Sequence, residues 1–293
     1  MTSDPGEILG ATVEEGATVR SIEEAAILVT GSTDGLGKRI ARDLADAGAN
    51  VLLHGRDPGR GDATVREIRE ETGNDDLRYY LADFSSLDEV RRLAEEIWAE
   101  HEHLDVLVNN AGIFSRERAV SKDGFELTFA VNYLAPFLLT HLLLPLLRAP
   151  ARIVNVSSAG QSPIDFDDVM LERRYDGMRA YSQSKLAQVM FTFDLAGQLA
   201  GTGVTANCLH PASLMDTKMV FETFGGAMSS VRDGADATVR LAISPELEGV
   251  TGRYFDRQRE ARANNQAYDR DARDRLRRLS EELTGIRTSG TSP

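Results

Sequence analysis

Short apolar runs alternate with longer amphipathic segments between residues 25 and 256 of this 293-residue chain. The apolar runs are bounded by Gly, Asn, Asp or Pro and predict strands, and the segments between them have helical periodicity. Strands that are apolar along nearly their whole length and are separated by helices form a parallel sheet covered on both faces. The fold class is therefore predicted to be α/β, with a doubly wound, mostly parallel sheet and helices on both faces. The predicted strands are AAILVTG, NVLLHG, LRYYLAD, LDVLVNNAG, ARIVNVSS, VTANCLHP and VTGRYF.

The chain is predicted to form a single domain over residues 25–285, because no linker rich in Pro, Gly or Ser divides it. Residues 1–24 are predicted to be a loosely ordered extension, and residues 286–293 a flexible tail. The two longest helical patterns lie around 124–148 and 179–201.

The formal charge of −13 and the single cysteine exclude several classes of function. Nucleic acids and anionic membranes bind basic surfaces, so neither is expected as a partner. One cysteine forms no internal disulfide and no multi-cysteine metal site, and no metal site is predicted. The first residues lack the positive and apolar regions of a signal peptide, and the longest apolar stretch, FLLTHLLLPLLRAP, is short for a bilayer. We therefore expect a cytoplasmic protein with no membrane anchor.

A glycine-rich turn, TGSTDGLG, follows the first predicted strand and precedes a helix. Glycine lets the backbone turn tightly and approach a pyrophosphate, whose charge is met by the N-terminus of the helix. The glycine spacing is GxxxGxG, not the GxGxxG of the standard dinucleotide fingerprint, and no GK[ST] of a P-loop follows. The turn predicts a dinucleotide site rather than triphosphate hydrolysis. Its predicted cofactor-binding residues are Gly31, Ser32, Thr33, Asp34, Gly35, Leu36 and Gly37.

The end of the second predicted strand indicates which dinucleotide is bound. An acidic residue there accepts hydrogen bonds from the 2′-hydroxyl of the adenosine ribose, whereas an arginine meets a 2′-phosphate. Gly55 occupies the strand end and Arg56 follows it, while Asp57 is interpreted as a helix N-cap ahead of Pro58. NADP(H) is therefore predicted as the preferred cofactor, with NAD(H) as the alternative.

The ends of the third and fourth predicted strands are expected to contact the same cofactor. Asp83 and Phe84 end the third strand and are positioned to bracket the adenine. The fourth strand ends in NNAG, whose small residues let a ribose lie close to the backbone. The predicted contacts there are Asn110, Ala111 and Gly112.

Tyr181 and Lys185 are four positions apart in AYSQSKLAQ, which is predicted to be helical. Residues at this spacing are neighbours on a helix, so the lysine ammonium can lie beside the phenol. A fixed cation favours the phenolate and lowers the pKa of a tyrosine, so this phenol could exchange a proton near neutral pH. The chain has only four lysines, at 38, 122, 185 and 218, so few such pairs arise by chance. From these two residues alone, a solvated polar helix face remains the alternative.

Five motifs, in the order TGSTDGLG, NNAG, Asn132, VNVSS and YSQSK, resemble the single-domain branch of the short-chain dehydrogenase/reductase family over most of the chain. The resemblance implies a Rossmann-type fold and an NAD(P)-dependent oxidoreductase. It implies that Tyr181 is the general acid in reduction and the base in oxidation. Lys185 would lower the pKa of Tyr181 and hydrogen-bond the nicotinamide ribose. Ser158, with Ser157 as the fallback, would hydrogen-bond the substrate oxygen, and Asn132 would hold a water that links Lys185 to solvent.

The family places a Pro-Gly pair and then a threonine after the sixth strand, and LHPASLMDT departs from this pattern. Pro211 matches and Thr217 is expected to bind the nicotinamide carboxamide, but Ala212 replaces the glycine. An alanine fits there if its φ is negative, and otherwise the loop is reshaped.

The segment at about 212–235 is expected to be a substrate lid with an apolar inner surface, and an ordinary packing helix is the alternative. Its apolar side chains are Met215, Met219, Val220, Phe221, Phe224 and Met228.

Ser158 and Tyr181 are 23 positions apart, because an acidic insert at 159–179 separates them. This insert and the closing segments GRYFDRQR and RLRRLSEELTGI resemble the retinol dehydrogenase-like branch, whose relatives act on retinoids, lipid aldehydes, sterols or protochlorophyllide. Membrane-bound members carry an N-terminal apolar anchor that is not expected here, so a retinoid substrate is not assumed.

The resemblance implies interconversion of a ketone or aldehyde and an alcohol on an apolar small molecule. It also implies a homodimer or homotetramer, with the helices at 124–148 and 179–201 at the interface. An NADP(H)-sensing regulatory protein on the same fold, without turnover, is the alternative. A sugar-nucleotide epimerase or dehydratase is disfavoured by the glycine spacing and the short C-terminal region.

Overall fold

A computed structural model describes residues 21–288 and confirms the doubly wound α/β fold. The strands are β1 (Ala26–Val29), β2 (Asn50–Gly55), β3 (Leu77–Leu81), β4 (Leu104–Asn109), β5 (Leu147–Val156), β6 (Val204–His210), β7 (Tyr254–Asp256) and β8 (Arg259–Glu260). The α-helices are α1 (Gly35–Asp46), α2 (Pro58–Thr72), α3 (Leu87–Glu100), α4 (Leu127–Phe129), α5 (Ala135–Leu143), α6 (Gly177–Gln198), α7 (Lys218–Phe224), α8 (Val231–Ile243) and α9 (Arg270–Thr284). Of the predicted extension and tail, residues 1–20 and 289–293 lie outside the described residues, and Ile22–Glu24 is a short 3₁₀ turn.

The strands form one sheet in the order β3-β2-β1-β4-β5-β6-β7-β8. β1 to β7 run parallel, and β8 is antiparallel to β7. The chain adds β2 and β3 on one side of β1 and then continues with β4 on its other side. The loops after β1 and β4 therefore diverge and leave a crevice at the carboxyl ends of these strands, where ligands bind in this type of sheet. β8 has two residues, too few to give a sequence pattern, and it was not predicted.

Each face of the sheet packs against its own helical layer. Inward side chains of α1 and α8, such as Ile40 and Leu241, cover one face. Side chains of α3, α5 and α6, such as Leu93, Phe137 and Leu186, cover the other. Burying such a side chain contributes about 1.5–3 kcal/mol to the stability of the fold. Because helices cover both faces of the sheet, the strands are apolar along nearly their whole length, as the sequence pattern indicated.

The long helix predicted around 124–148 is interrupted and ends earlier. α4 passes into a π turn at Ala130–Leu134, then α5, and then a 3₁₀ turn at Leu144–Leu146. By length and composition Leu127–Leu146 could cross a membrane, with mean hydropathy 1.6, which corrects the expectation that the apolar stretch is too short. However, 78% of its most apolar stretch is buried inside the protein. Its apolar character is that of a core helix between the sheet and its neighbours.

α9 covers the helices that were expected to lie between copies of the chain. The hydroxyls of Tyr133 in the π turn and Ser280 in α9 share a hydrogen bond of 2.7 Å, and both side chains are buried. Arg277 of α9 lies 3.5 Å from Asp194 of α6. The surfaces of these two helices that face α9 are therefore used within the chain and are not available to a second copy.

Candidate active site

The glycine turn after β1 fits tightly against the turn after β4. Gly31 has φ +64°, and a Cβ built on it would lie 2.8 Å from Cα of Ala111. A Cβ on Gly37 would lie 2.1 Å from the carbonyl oxygen of Gly31. Gly35, with φ +50°, faces Thr217 across the opening of the crevice. These three positions require glycine, and they leave backbone rather than side chains facing the N-terminus of α1, which suits a pyrophosphate.

Thr30, which sequence analysis did not single out, joins the two turns. Its hydroxyl accepts hydrogen bonds from the backbone N–H groups of Asn110 at 2.9 Å and Ala111 at 3.0 Å. The Asn110 side chain in turn donates to the carbonyls of Thr30 and Gly31. Asn110 therefore shapes the cofactor crevice through the backbone, and the NH₂ group of its amide is bonded within the protein.

His54 on β2 is a second support that sequence analysis missed. Its Nδ1 accepts from the Gly31 N–H at 3.1 Å, so its Nε2 carries the proton and donates to the Ala82 carbonyl at 3.1 Å. Its ring stacks on Phe84 with centroids 4.3 Å apart. Burial lowers the pKa of His54 to about 4, so the ring stays neutral and both bonds persist at neutral pH. A histidine inside an apolar strand was the available sequence signal.

We expect His54→Leu to lower the free energy of unfolding by about 2–4 kcal/mol, because it leaves the partly buried Gly31 N–H and the buried Ala82 carbonyl without these partners. The substitution also removes a pH dependence. The buried ring of the native protein resists protonation that the unfolded chain accepts below pH 6.5. The native protein should therefore lose about 3 kcal/mol as pH falls from 6.5 to 4.

Urea unfolding at pH 7 and pH 5 measures both effects. His141→Leu is the control, since His141 is also largely buried but its one hydrogen bond within residues 21–288 goes to the Phe137 carbonyl of its own helix. Equal losses in the two variants would contradict a special role for His54.

The geometry around Gly55 bears on the choice of dinucleotide. A Cβ at Gly55 would lie 2.7 Å from Cγ2 of Thr33, so an acidic side chain at this strand end would require the Thr33 side chain to move. The Arg56 side chain is exposed and makes no ion pair or hydrogen bond with other described residues. Asp57 caps α2 by accepting from the Arg60 N–H at 2.9 Å, as expected. Asp34 caps α1 and lies 3.9 Å from Arg60.

Two other predicted cofactor residues are engaged within the protein. Ser32 is buried, and its hydroxyl bonds the backbone of His54. Phe84 is also buried against His54, so its ring points into the core and does not form the wall that was expected beside the adenine. Asp83 accepts from the Ser85 N–H at 2.9 Å and remains partly exposed at the end of β3.

Ser158, Tyr181 and Lys185 come together at the carboxyl end of β5. The start of α6 packs closely on the loop after β4. A Cβ built on Gly177 would lie only 2.2 Å from the Ser115 carbonyl oxygen. This brings Tyr181 to the crevice, where its phenol faces the Ser158 hydroxyl. The Ser157 hydroxyl is buried and donates to the Lys185 carbonyl, so Ser158, not the fallback, is the serine that meets the phenol.

Burial raises the pKa of Tyr181, and the hydrogen bond from Ser158 opposes this. This corrects the expectation that Lys185 lowers it in the free protein. The Lys185 Nζ lies 5.7 Å from the ring centroid of Tyr181 and donates instead to Val156 O and Gln188 Oε1. Burial also lowers the pKa of Lys185 to about 7, which weakens its effect on the phenol.

Asn132 lies in the π turn and is fully buried. Its carboxamide accepts from the Ile113 N–H at 2.8 Å and donates to the Ile113 carbonyl and to Ser184 Oγ, both at 3.0 Å. Gly112 lies beside both Asn132 and Lys185. The side chain of Asn132 therefore fixes the loop after β4, and its role in holding a water stays a prediction.

The loop after β6 accommodates Ala212 without reshaping at that position. Pro211 and Ala212 are buried, and the φ of Ala212 is not positive. The left-handed conformation falls instead on Leu214, with φ +46°. Thr217 caps α7 by accepting from the Val220 N–H at 3.3 Å. Its methyl group faces Gly35, so Thr217 borders the crevice where a cofactor contact was expected.

The segment predicted to be a lid divides into two parts. α8, from Val231, packs on α1 in the helical layer, so the residues from 231 onward do not fit the lid that was predicted over 212–235. Within α7, Val220 is buried and Phe221 is 51% exposed, while Met228 beyond it is 78% exposed. The side chain of Phe224 lies outside the described residues. Arg116, from the loop after β4, donates to the last carbonyls of α7 and bridges the mouth of the crevice.

The insert between β5 and α6 supports Ser158. The Ser158 carbonyl accepts from Gln161 Nε2 at 2.7 Å and from the Tyr254 hydroxyl at 3.2 Å. Gln161 Oε1 accepts from the Asn264 N–H at 2.9 Å, which ties the insert to the C-terminal segment. At its other end, Tyr175 donates to the Ser115 carbonyl at 3.0 Å. Nothing in the sequence pattern pointed to Gln161 or Tyr254.

Residues 25–225 match the sequence pattern of the short chain dehydrogenase family. The chain is a short-chain dehydrogenase. It is 39% identical over 286 residues to retinol dehydrogenase 13 from Mus musculus, and the alignment covers 91% of this chain and 86% of that protein. The resemblance to the retinol dehydrogenase-like branch is thereby confirmed. This short-chain dehydrogenase is an oxidoreductase that acts on CH–OH donors, and its family binds NAD(P).

Solved structures of similar proteins agree with this assignment. An uncharacterized protein from Mycobacterium paratuberculosis is 31% identical, with a TM-score of 0.75 and coverage of 92% of this chain and 97% of that one. A short chain dehydrogenase from Escherichia coli CFT073, solved with NADPH, is 26% identical, with a TM-score of 0.67 and coverage of 80% and 97%.

Proposed function

We propose that this short-chain dehydrogenase uses NADP(H) to interconvert a ketone or aldehyde and the corresponding alcohol on an apolar small molecule, with Tyr181 as general acid and base. The observation that carries the proposal is the meeting of Ser158, Tyr181 and Lys185 beside the glycine turn. A proton donor, a hydrogen-bond donor and a cation lie together next to a crevice that fits a dinucleotide.

The residues divide the chemistry as follows. The bound nicotinamide supplies or accepts the hydride. The Ser158 hydroxyl orients the substrate oxygen by hydrogen bonding. The Tyr181 phenol gives its proton to that oxygen in reduction and takes it back in oxidation. Lys185 supplies positive charge behind the phenol. Its ammonium lies beside Gly112 and would hydrogen-bond the nicotinamide ribose of a bound cofactor.

The preference for NADP(H) is supported by Gly55 and Arg56. Gly55 provides no carboxylate to hold a 2′-hydroxyl, and a side chain there would displace Thr33, while the exposed Arg56 guanidinium has no partner among the described residues. A guanidinium is well suited to a phosphate, because it offers two parallel donors.

We expect Arg56→Ala to weaken NADPH binding about 10–100-fold and NADH binding less than about threefold, because only NADPH offers a 2′-phosphate to the guanidinium. Fluorescence titration of both nucleotides measures the two affinities. Arg60→Ala is the matched control, since Arg60 already faces Asp34. An equal loss of affinity for both nucleotides in Arg56→Ala would rule out its assignment to the 2′-phosphate.

The proposal of an apolar substrate rests on the residues at the crevice. The Phe114 ring lies 6.0 Å from the Tyr181 ring. Thr217, which borders the crevice, is followed in α7 by the apolar residues Val220 and Phe221. Retinol dehydrogenase 13 is named for a substrate of this class. The decisive experiment follows NADPH absorbance with a panel of ketones, aldehydes and alcohols that includes retinaldehyde and retinol. Binding of NADPH without turnover of any of them would favour a sensing protein instead.

A further inference from the structure

The Lys185 ammonium is held by two acceptors, one of which belongs to its own helix. Nζ donates to the Val156 carbonyl of β5 at 2.8 Å and to Gln188 Oε1 at 3.0 Å. Lys185 is 4% exposed and Gln188 is 1% exposed. Since an ammonium can only donate, the Gln188 amide must present its oxygen to Lys185 and turn its NH₂ group away.

The NH₂ group that is turned away has no hydrogen-bond partner among the described residues. Leaving a buried donor without a partner is unfavourable, and buried amides are normally satisfied. A leucine or methionine would fill the same space on this buried helix face without that cost. Packing therefore does not explain a glutamine at this position, and the one hydrogen bond of its side chain goes to Lys185.

Within residues 21–288, no carboxylate forms an ion pair or a hydrogen bond with Lys185. The neighbours of Lys185 are the Tyr181 ring on α6, the Val156 carbonyl on β5, Asn132 in the π turn and Gly112 after β4. None of them carries a charge at neutral pH, and burial alone accounts for the low pKa of Lys185, about 7. The charged form of the lysine therefore depends on neutral acceptors.

We propose that Gln188 is a positioning residue that keeps the Lys185 ammonium charged and in place behind Tyr181. Its effect on turnover rests on the proposed function, whereas its effect on Lys185 does not. The amide oxygen favours the charged form by accepting its hydrogen bond, and it fixes the side chain along α6 through the i,i+3 spacing.

The four lysines of the chain allow a direct test in the protein without cofactor. With ¹³C at lysine Cε, NMR gives one signal for each lysine, and Lys185→Arg assigns the signal of Lys185. We expect Lys185 to titrate near pH 7. Gln188→Leu removes an acceptor and should lower this midpoint by about one pH unit, whereas Gln188→Glu places a carboxylate beside Nζ and should raise it by at least about one unit.

Gln183→Leu is the matched control. Gln183 is a fully buried glutamine of the same helix, but its amide donates to the Val169 carbonyl at 2.7 Å and does not contact Lys185. This variant should leave the Lys185 midpoint unchanged. Because Gln183→Leu leaves the Val169 carbonyl without the side-chain donor it has in the native protein, Gln188→Leu should unfold at no lower temperature than Gln183→Leu. An unchanged Lys185 midpoint in both Gln188 variants, or an equal shift in Gln183→Leu, overturns the proposal.

Turnover separates this proposal from the proposed function. In Gln188→Leu we expect kcat to fall about tenfold with little change in KM, and the pH–rate limb of Lys185 to move with its NMR midpoint. If the wild-type protein turns over no carbonyl while the titrations shift as expected, the function is wrong and the role of Gln188 stands. If carbonyl turnover is normal while the Lys185 midpoint does not shift in the Gln188 variants, the proposed function stands and the role of Gln188 is wrong.

Discussion

Tyr181→Phe should abolish turnover, with kcat reduced about 10³-fold or more, while the affinity for NADPH stays within about threefold of the wild type. The substitution removes only the phenolic hydroxyl, so the ring still packs near Phe114 and Lys185. The hydroxyl is the group that exchanges a proton with the substrate, and Ser158 offers no replacement because its role is to donate a hydrogen bond. Stopped-flow absorbance of NADPH and fluorescence titration measure the two quantities.

Tyr133→Phe is the control for this substitution. This substitution also removes one buried hydroxyl, which bonds Ser280, but Tyr133 lies in the π turn beneath α9. We expect this variant to lose about 1 kcal/mol of stability and to keep most of its turnover. Turnover of Tyr181→Phe at the level of Tyr133→Phe would remove Tyr181 from the mechanism.

The fold was predictable from the sequence because its signals are local. Nearly continuous apolar strands predict a sheet buried on both faces, and the period of each helix indicates its inner side. Gly31, Gly35 and Gly37 were predictable for the same reason, since a tight turn between a strand and a helix needs glycine. The spacing of Tyr181 and Lys185 likewise follows from the geometry of one helix.

The supports of the site were not predictable in this way, because they join distant parts of the chain. Thr30 reaches Asn110 and Ala111, 80 and 81 positions away, and His54 reaches Gly31 across 23 positions. The pairing of β1 with β4 creates the contacts of Thr30, and the sequence of neither strand alone predicts that pairing.

The direction of the Tyr181 pKa shift was the main error of chemical reasoning from the sequence. Spacing on a helix brings Lys185 near the phenol, but it does not reveal where Nζ points or how deeply both groups are buried. In the structure Val156 and Gln188 hold the ammonium, and burial dominates both pKa values. Gln188 did carry a readable signal, because a residue three positions after a lysine on a helix lies on the same face.

Gly37→Ala should cause the largest loss of stability and cofactor binding among substitutions of the glycine turn. Its methyl group would lie 2.1 Å from the Gly31 carbonyl oxygen and 2.4 Å from Nδ2 of Asn110, and neither can move without opening the turn. We expect the free energy of unfolding to fall by about 3 kcal/mol through overpacking. If the turn opens to relieve this strain, NADPH affinity should fall about 100-fold.

The matched control is Gly197→Ala, another glycine within an α-helix, where an added Cβ meets nothing within 4 Å. Alanine favours a helix over glycine, so this variant should gain about 0.5–1 kcal/mol and bind NADPH as the wild type does. Urea unfolding and NADPH titration of both variants therefore separate a steric requirement in the crevice from a general effect of alanine in a helix. Equal behaviour of the two variants would show that the close contact of α1 with the glycine turn is not needed to hold the dinucleotide.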